Sequence, residues 1–95
     1  MKRNPCVYIL TNKNHNVVYV GVTSDLVKRL SEHKSRFYRN AFTSRYNVTE
    51  LVYFEEYKRM VDAIKREKQL KAGSRAKKIN LILTTNPKWE ELTIY

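Results

Sequence analysis

Five side chains of this sequence are of the types that hydrolysis of a phosphodiester bond requires. Two are tyrosines in short apolar segments, two are an arginine and a histidine one helical turn apart, and one is a carboxylate later in the chain: Tyr8, Tyr19, Arg29, His33 and Glu67. Such a reaction needs a proton acceptor, a cation for the phosphate and a carboxylate for a metal ion. The five side chains provide these groups if the predicted strands and helices bring them together.

The two tyrosine segments are predicted to form paired strands. Cys6–Leu10 and Val17–Val22 are rich in β-branched and aromatic residues, which favour strands. Residues 11–16 between them are polar and rich in asparagine, as hairpin loops are. A third strand is predicted over Leu51–Tyr57. Gly21, late in the second strand, occupies a position where glycine often marks the close approach of another backbone or of a ligand.

Three helices are predicted around these strands. The first spans about Asp25 to Ser35, the second about Arg59 to Ala72, and the third about Arg75 to Thr84. Gly73 is suited to end the second helix and Ser74 to cap the third. The order β-β-α-β-α-α predicts an α/β fold of the α+β type, with a small three-stranded, mainly antiparallel sheet flanked by helices.

The charge balance favours a nucleic-acid partner. The 95 residues, enough for one domain, include 19 Lys and Arg against 9 Asp and Glu, and the formal net charge is +10. Such a balance favours a polyanion, and nucleic acid more than an acidic membrane surface. A basic protein with an ordinary solvated surface is the alternative.

Cysteine content and hydropathy exclude several other classes. Cys6 is the single cysteine, so an intrachain disulfide and a cysteine-based zinc site are excluded. The apolar segments are too short for an export signal or a membrane span. We therefore expect a cytoplasmic protein without a membrane partner.

Glu67 lies on a helix face that is otherwise apolar. Four residues of the second helix form this stripe: Met60, Ala63, Ile64 and Leu70. Glu67 projects from the middle of it. A carboxylate in such a position is costly unless it is paired or binds a metal ion. The alternative to a metal ligand is a salt bridge to a basic group on another element, such as Arg29.

His33 shares the apolar stripe of the first helix with Leu26 and Leu30, and Arg29 precedes it by one turn. A half-buried core histidine is the alternative to a functional one. Arg29 and a protonated His33 would repel each other, and a shared anion such as a phosphate would resolve that repulsion. The pair therefore favours a phosphate site.

The connection after the first helix has the composition of a nucleic-acid contact. Segment 36–46 alternates cations with aromatic and hydroxyl side chains, which suits phosphate contacts and base stacking. Its candidate nucleic-acid-binding residues are Arg36, Arg39, Thr43, Ser44, Arg45 and Tyr46. A solvated loop with a few anchoring aromatic residues is the alternative.

Taken together, these segments resemble the GIY-YIG nuclease domain, and most closely its small stand-alone bacterial members. The resemblance extends over nearly the whole chain and is carried by segments 8–12, 19–26, 29–34, 51–55, 66–71 and 86–92. The first triplet departs from the family name because Cys6 stands in place of glycine. Val7 and Val20 replace isoleucine, which is a conservative change.

The resemblance implies a metal-dependent endonuclease that acts on DNA rather than RNA. It implies that Tyr8 or Tyr19 helps to take the proton from the attacking water and that nearby cations favour the ionised phenol. It further implies that Arg29 holds the scissile phosphate and that His33 supports the nucleophile or the phosphate. Glu67 would bind one divalent metal ion, with Mg²⁺ expected and Mn²⁺ as the alternative.

Two other hypotheses remain open at this stage. One is a nucleic-acid-binding module on the same fold with little or no catalysis. The other is a basic accessory subunit whose partner is a protein. The complete set of five candidate residues favours the nuclease over the binding module, because a purely structural lineage has no physical need for a carboxylate on an apolar stripe.

Overall fold

The computed structural model describes residues 4–34 and 46–94, and these residues form three strands and three helices. In chain order they are β1 (Cys6–Thr11), β2 (Val18–Thr23), α1 (Leu26–Lys34), β3 (Glu50–Glu56), α2 (Met60–Ala72) and α3 (Arg75–Thr85). The sheet is antiparallel in the order β2-β1-β3. The predicted fold class and element order are confirmed, and within the described residues the predicted ends differ from the observed ends by a single residue at most.

β1 is the central strand, and every residue of it is buried. Val7 and Ile9 face the layer formed by α2 and α3, whereas Tyr8 and Leu10 face α1. Successive side chains of a strand point to opposite faces. A strand that is covered on both faces therefore has apolar residues at consecutive positions. This explains the lack of polar–apolar alternation in β1, and it divides the core into two layers.

Side chains from the loops fix the hairpin and the start of α3. Asn12 Oδ1 accepts hydrogen bonds from the backbone N–H groups of Asn16 at 3.1 Å and Val17 at 3.2 Å. These bonds satisfy loop donors that would otherwise lack a partner. The hydroxyl of Ser74 accepts from the backbone N–H of Lys77 at 3.2 Å, as the predicted cap requires. Gly73 ends α2 as predicted, but in an extended conformation with φ −77°.

The segment after α3 packs back onto the sheet, as its apolar residues predict. Asn86 is buried, and its Nδ2 donates to the carbonyl of Val52 at 3.1 Å. The backbone N–H of Leu92 donates to a β3 carbonyl at 2.8 Å. Trp89 packs against the α2–α3 layer and Leu92 against the α1 layer. Within the described ranges, no helix has the length and apolar character needed to cross a membrane.

The carboxylate of Glu55 ties β3 to α2. Arg66 donates to its two oxygens from Nε at 3.0 Å and from Nη2 at 3.1 Å. The hydroxyls of Tyr53 and Tyr57 donate to the same carboxylate. Burial raises the pKa of Glu55, but these hydrogen bonds outweigh burial and hold the pKa below its usual value. The contacts fix the rotation of α2, with Arg66 turned towards β3.

Glu55→Gln should lower the free energy of unfolding at pH 7 by about 2–4 kcal/mol, because it leaves the partly buried guanidinium of Arg66 without its counter-charge. The pKa of Glu55 is depressed in the folded state, so its contribution is present above the unfolded pKa and is lost as pH falls through the folded pKa. Urea denaturation at pH 7 and pH 3 should show a smaller difference from wild type at pH 3.

The matched control is Glu56→Gln, which removes the exposed neighbouring carboxylate. Its side chain accepts a hydrogen bond from Asn4 Nδ2 at 3.0 Å, and we expect a loss within about 0.5 kcal/mol. Equal losses for the two variants, or a Glu55→Gln deficit that is the same at both pH values, would contradict the role given to Glu55.

Candidate active site

Three aromatic rings meet on the face of the sheet that α1 covers. The ring centroids of Tyr8 and Tyr19 lie 6.4 Å apart, those of Tyr8 and His33 lie 6.0 Å apart, and those of Tyr19 and His33 lie 5.9 Å apart. Tyr8 and Tyr19 come from the neighbouring strands β1 and β2, and His33 comes from the last turn of α1. The hairpin and α1 therefore bring these three predicted residues together.

Gly21 makes room for the side chain of Tyr8. The two residues are direct partners across the β1–β2 ladder. A Cβ atom at Gly21 would meet Cζ and the hydroxyl oxygen of Tyr8 and would lie 2.8 Å from its Cε2. A group does approach this glycine closely, but it is the side chain of Tyr8 and not the backbone or ligand that the sequence predicted. Any larger residue at this position would have to displace Tyr8.

The hydroxyl of Tyr8 is buried and hydrogen-bonded. Its Oη lies 3.2 Å from Nε2 of His33, and the exposed fractions of the two residues are 0% and 6%. Burial raises the pKa of Tyr8 above its ordinary value, and Tyr19 raises it further, whereas the charge and hydrogen bond of Arg29 lower it without reversing the shift. Arg29 alone therefore does not produce the ionised phenol that the resemblance implies, and the raised pKa keeps Tyr8 neutral at pH 7.

His33 is also neutral at pH 7. Burial lowers its pKa, the neighbouring charge of Arg29 lowers it further, and the opposing effect of Glu32 is smaller. The direction of the Tyr8–His33 hydrogen bond depends on the tautomer of the ring. The tautomer that carries its proton on Nδ1 leaves Nε2 as the acceptor for the hydroxyl proton of Tyr8.

Arg29 lies at the rim of this cluster. Its Nε lies 3.3 Å from Oε1 of Glu32, and 35% of its side chain is exposed. The guanidinium has five N–H donors in a planar fork, which suits bidentate contact with a phosphate. Arg29 can therefore contact both Tyr8 and a ligand that arrives from solvent.

Glu67 lies on α2 and is linked to the tyrosine face through Lys71. The apolar residues of α2 pack on the opposite face of the sheet from Tyr8. However, α2 lies against the edge strand β2. Lys71 Nζ lies 3.1 Å from the Glu67 carboxylate and 5.8 Å from the ring centroid of Tyr19. The Lys71 side chain thus joins Glu67 to the cluster at the β2 edge.

Within the part of the chain that the structure describes, the alternative of a salt bridge from Glu67 to a basic group on another element, such as Arg29, is wrong. Glu67 pairs with Lys71 and Arg29 pairs with Glu32, both within their own helices. The i,i+4 spacing of Glu67 and Lys71 is a sufficient sequence signal for the first pair. The contact of Lys71 with Tyr19 depends on where α2 lies against the sheet, and no residue spacing in the sequence indicates it.

Five of the predicted nucleic-acid-binding residues lie outside the described residues: Arg36, Arg39, Thr43, Ser44 and Arg45. The sixth, Tyr46, is 47% exposed, which is unusual for a large aromatic side chain. Over the described ranges 4–34 and 46–94, His, Cys, Asp and Glu side chains form no group of three or more that could hold a metal ion. Any ion bound through Glu67 alone would therefore take further ligands from water or substrate.

Comparisons with known proteins agree with this architecture. The family model of the GIY-YIG catalytic domain matches residues 4–80. A UPF0213 protein of Syntrophus aciditrophicus (strain SB) is 38% identical over 76 residues, which are 80% of this chain and 86% of that protein. The solution NMR structure of a UPF0213 protein from Bacillus halodurans has a TM-score of 0.58 and 29% identity, covering 93% of this chain and 92% of that one. The chain therefore belongs to the GIY-YIG nuclease family.

Proposed function

We propose that this protein is an endonuclease that hydrolyses phosphodiester bonds in DNA with the help of one divalent metal ion. The observation that carries the proposal is the buried hydrogen bond between Tyr8 and His33, with Arg29 beside it at the rim. This arrangement joins a neutral proton acceptor to a phosphate-binding cation. The net charge of +10 supports a polyanionic substrate, and we expect the protein to act in the cytoplasm.

Tyr8 and His33 can move a proton without prior ionisation of the phenol. Arg29 lies close enough to Tyr8 for its charge to lower the pKa of the phenol. A hydroxyl oxygen that donates its proton to His33 can still accept a hydrogen bond from the attacking water. Oη of Tyr8 then takes the proton of the water while its own proton passes to Nε2 of His33. The raised pKa of Tyr8 is compatible with this relay, because the phenol stays neutral before and after the transfer.

Glu67 is the proposed metal ligand. Only 15% of its side chain is exposed, and a single carboxylate fits Mg²⁺, which keeps several waters and commonly takes its other ligands from phosphates. Mn²⁺ accepts the same oxygen ligands and is the alternative ion. When bound, the ion would stabilise negative charge on the phosphate and on the leaving oxygen.

The test is incubation with duplex, branched and single-stranded DNA and with matched RNA, each with Mg²⁺, with Mn²⁺ or with EDTA. We expect DNA cleavage with either ion and none with EDTA. Binding without ions should weaken steeply with salt, because displacement of counterions dominates the affinity of a +10 chain.

Three outcomes would contradict parts of this proposal. Cleavage that persists in EDTA would exclude a requirement for a metal ion. Cleavage confined to RNA would exclude DNA as the substrate. Salt-sensitive binding without cleavage on any substrate would favour the second candidate, a nucleic-acid-binding module. That candidate is supported by the charge of the chain alone.

A further inference from the structure

Lys71 lies beside two groups of the proposed site, the carboxylate of Glu67 and the ring of Tyr19. Its Nζ pairs with the Glu67 carboxylate at 3.1 Å and lies 5.8 Å from the centroid of the Tyr19 ring. Its side chain is 49% exposed, against 15% for Glu67. The ammonium is therefore mobile enough to leave, whereas the carboxylate that it neutralises is held near the sheet.

The ion pair is weak enough for a metal ion to displace it. An i,i+4 pair with a half-exposed lysine shifts an equilibrium by only about two- to fivefold. A divalent cation at the same carboxylate carries twice the charge, and the two cations compete for the same oxygens. Without either cation, a mostly buried carboxylate would be unfavourable, so the lysine stabilises the site while no metal ion is bound.

Once released, the ammonium stays close to the reaction centre. Lys71 is tethered by a flexible four-carbon stem, and the nearby Tyr19 ring offers a favourable surface for a cation. That ring lies 6.4 Å from Tyr8 and 5.9 Å from His33, centroid to centroid. A phosphate bound beside Arg29 and Tyr8 would thus lie within the region that the lysine can reach.

We propose that Lys71 is a further substrate-binding residue whose ammonium occupies Glu67 in the metal-free protein and transfers to a phosphate of the nucleic acid when the metal ion binds. This inference rests on the proposed function, since it assumes a metal ion at Glu67 and a nucleic-acid phosphate at the tyrosine face. It predicts that metal binding and nucleic-acid binding are positively coupled through one side chain.

The first test measures metal affinity without nucleic acid. Mn²⁺ is titrated into wild type and into Lys71→Met, which keeps the length of the side chain and removes its charge. The readout is paramagnetic broadening of backbone amide signals, which also shows whether the ion binds beside Glu67 on α2. We expect Lys71→Met to bind Mn²⁺ about two- to fivefold more tightly. Lys68→Met, which removes an exposed charge from the same helix, should show less than half of that gain.

The second test measures the affinity for a duplex DNA with a non-cleavable phosphorothioate backbone. With Mg²⁺ present, Lys71→Met should bind this DNA about three- to tenfold more weakly than wild type, because one phosphate contact is lost. With EDTA the loss should be at most half as large, because Glu67 then holds the ammonium. Lys68→Met should lose the same amount in both conditions.

The outcomes separate this inference from the proposed function. Unchanged or weaker Mn²⁺ binding by Lys71→Met, or a loss of DNA affinity equal with and without Mg²⁺, would overturn the role of Lys71. Absence of a Mn²⁺ effect at α2 in both proteins would overturn it as well. If both expected shifts are found but no substrate is cleaved, the coupling stands and the nuclease proposal fails. Similar urea midpoints would confirm that the variants are folded.

Discussion

Glu67→Gln is expected to lower the cleavage rate by about a thousandfold or more, while the affinity for nucleic acid stays unchanged or becomes slightly tighter. The reason is that a metal ion stabilises transition-state charge by several kcal/mol, and a neutral amide binds such an ion poorly. Phosphate contacts come from cations such as Arg29, so they do not need this carboxylate. Removing a negative charge near the phosphate favours binding when the affinity is measured without the metal ion. Cleavage rates and DNA affinities measured on the same preparation test both halves.

Stability distinguishes this role from that of a structural ion pair. The partner of Glu67 is the half-exposed Lys71, so Glu67→Gln should change the free energy of unfolding by less than about 1 kcal/mol. Asp62→Asn is the matched control, because Asp62 is a carboxylate of the same helix paired at 3.3 Å with Arg59. It should leave cleavage unchanged. A loss of several kcal/mol in Glu67→Gln, or cleavage at the wild-type rate, would refute the metal-ligand role.

The fold followed from the sequence where local chemistry decides the structure. β1 is a continuous apolar run, and it is buried between the two layers of the core. The cap of α3 depends on Ser74 alone, so its position is visible in the sequence. In these cases a residue and its near neighbours determine the contact, and no distant part of the chain is needed.

The contacts that connect α2 to its surroundings did not follow from the sequence. Arg66 donates two hydrogen bonds to Glu55 on β3. The ammonium of Lys71 lies 5.8 Å from the ring centroid of Tyr19 on β2. Both contacts depend on how α2 is rotated and placed against the sheet, and that placement results from packing of the whole α2–α3 layer.

The sequence also left open which tyrosine takes part in proton transfer. Tyr8 and Tyr19 have the same residue type, lie on paired strands and face the same side. The difference is their position in the sheet, since β1 is central and β2 lies at an edge. Tyr8 is therefore fully buried against His33, whereas Tyr19 is half-buried. Strand order, which the sequence did not determine, separates the two roles.

Tyr8→Phe and His33→Gln should each lower the cleavage rate by about 10²- to 10⁴-fold, which is the usual contribution of acid–base catalysis. The two side chains act as one proton relay, so losing both should cost little more than losing one. The double variant should therefore be at most about threefold slower than the slower of the two single variants. Tyr57→Phe is the control. It removes a hydroxyl that donates at 2.6 Å to Glu55 in the separate Arg66 cluster, so it should reduce stability and leave cleavage intact.

The pH dependence of kcat/KM provides the sharper test of the same relay. His33 must be neutral to accept a proton, so kcat/KM should rise with pH through its pKa, which burial and then Arg29 place below the usual 6.5. Arg29→Met removes one cause of that shift, and the acid limb of its profile should move to higher pH despite a lower rate. Losses that multiply in the double variant, or an acid limb that stays in place in Arg29→Met, would show that Tyr8 and His33 do not form a relay beside Arg29.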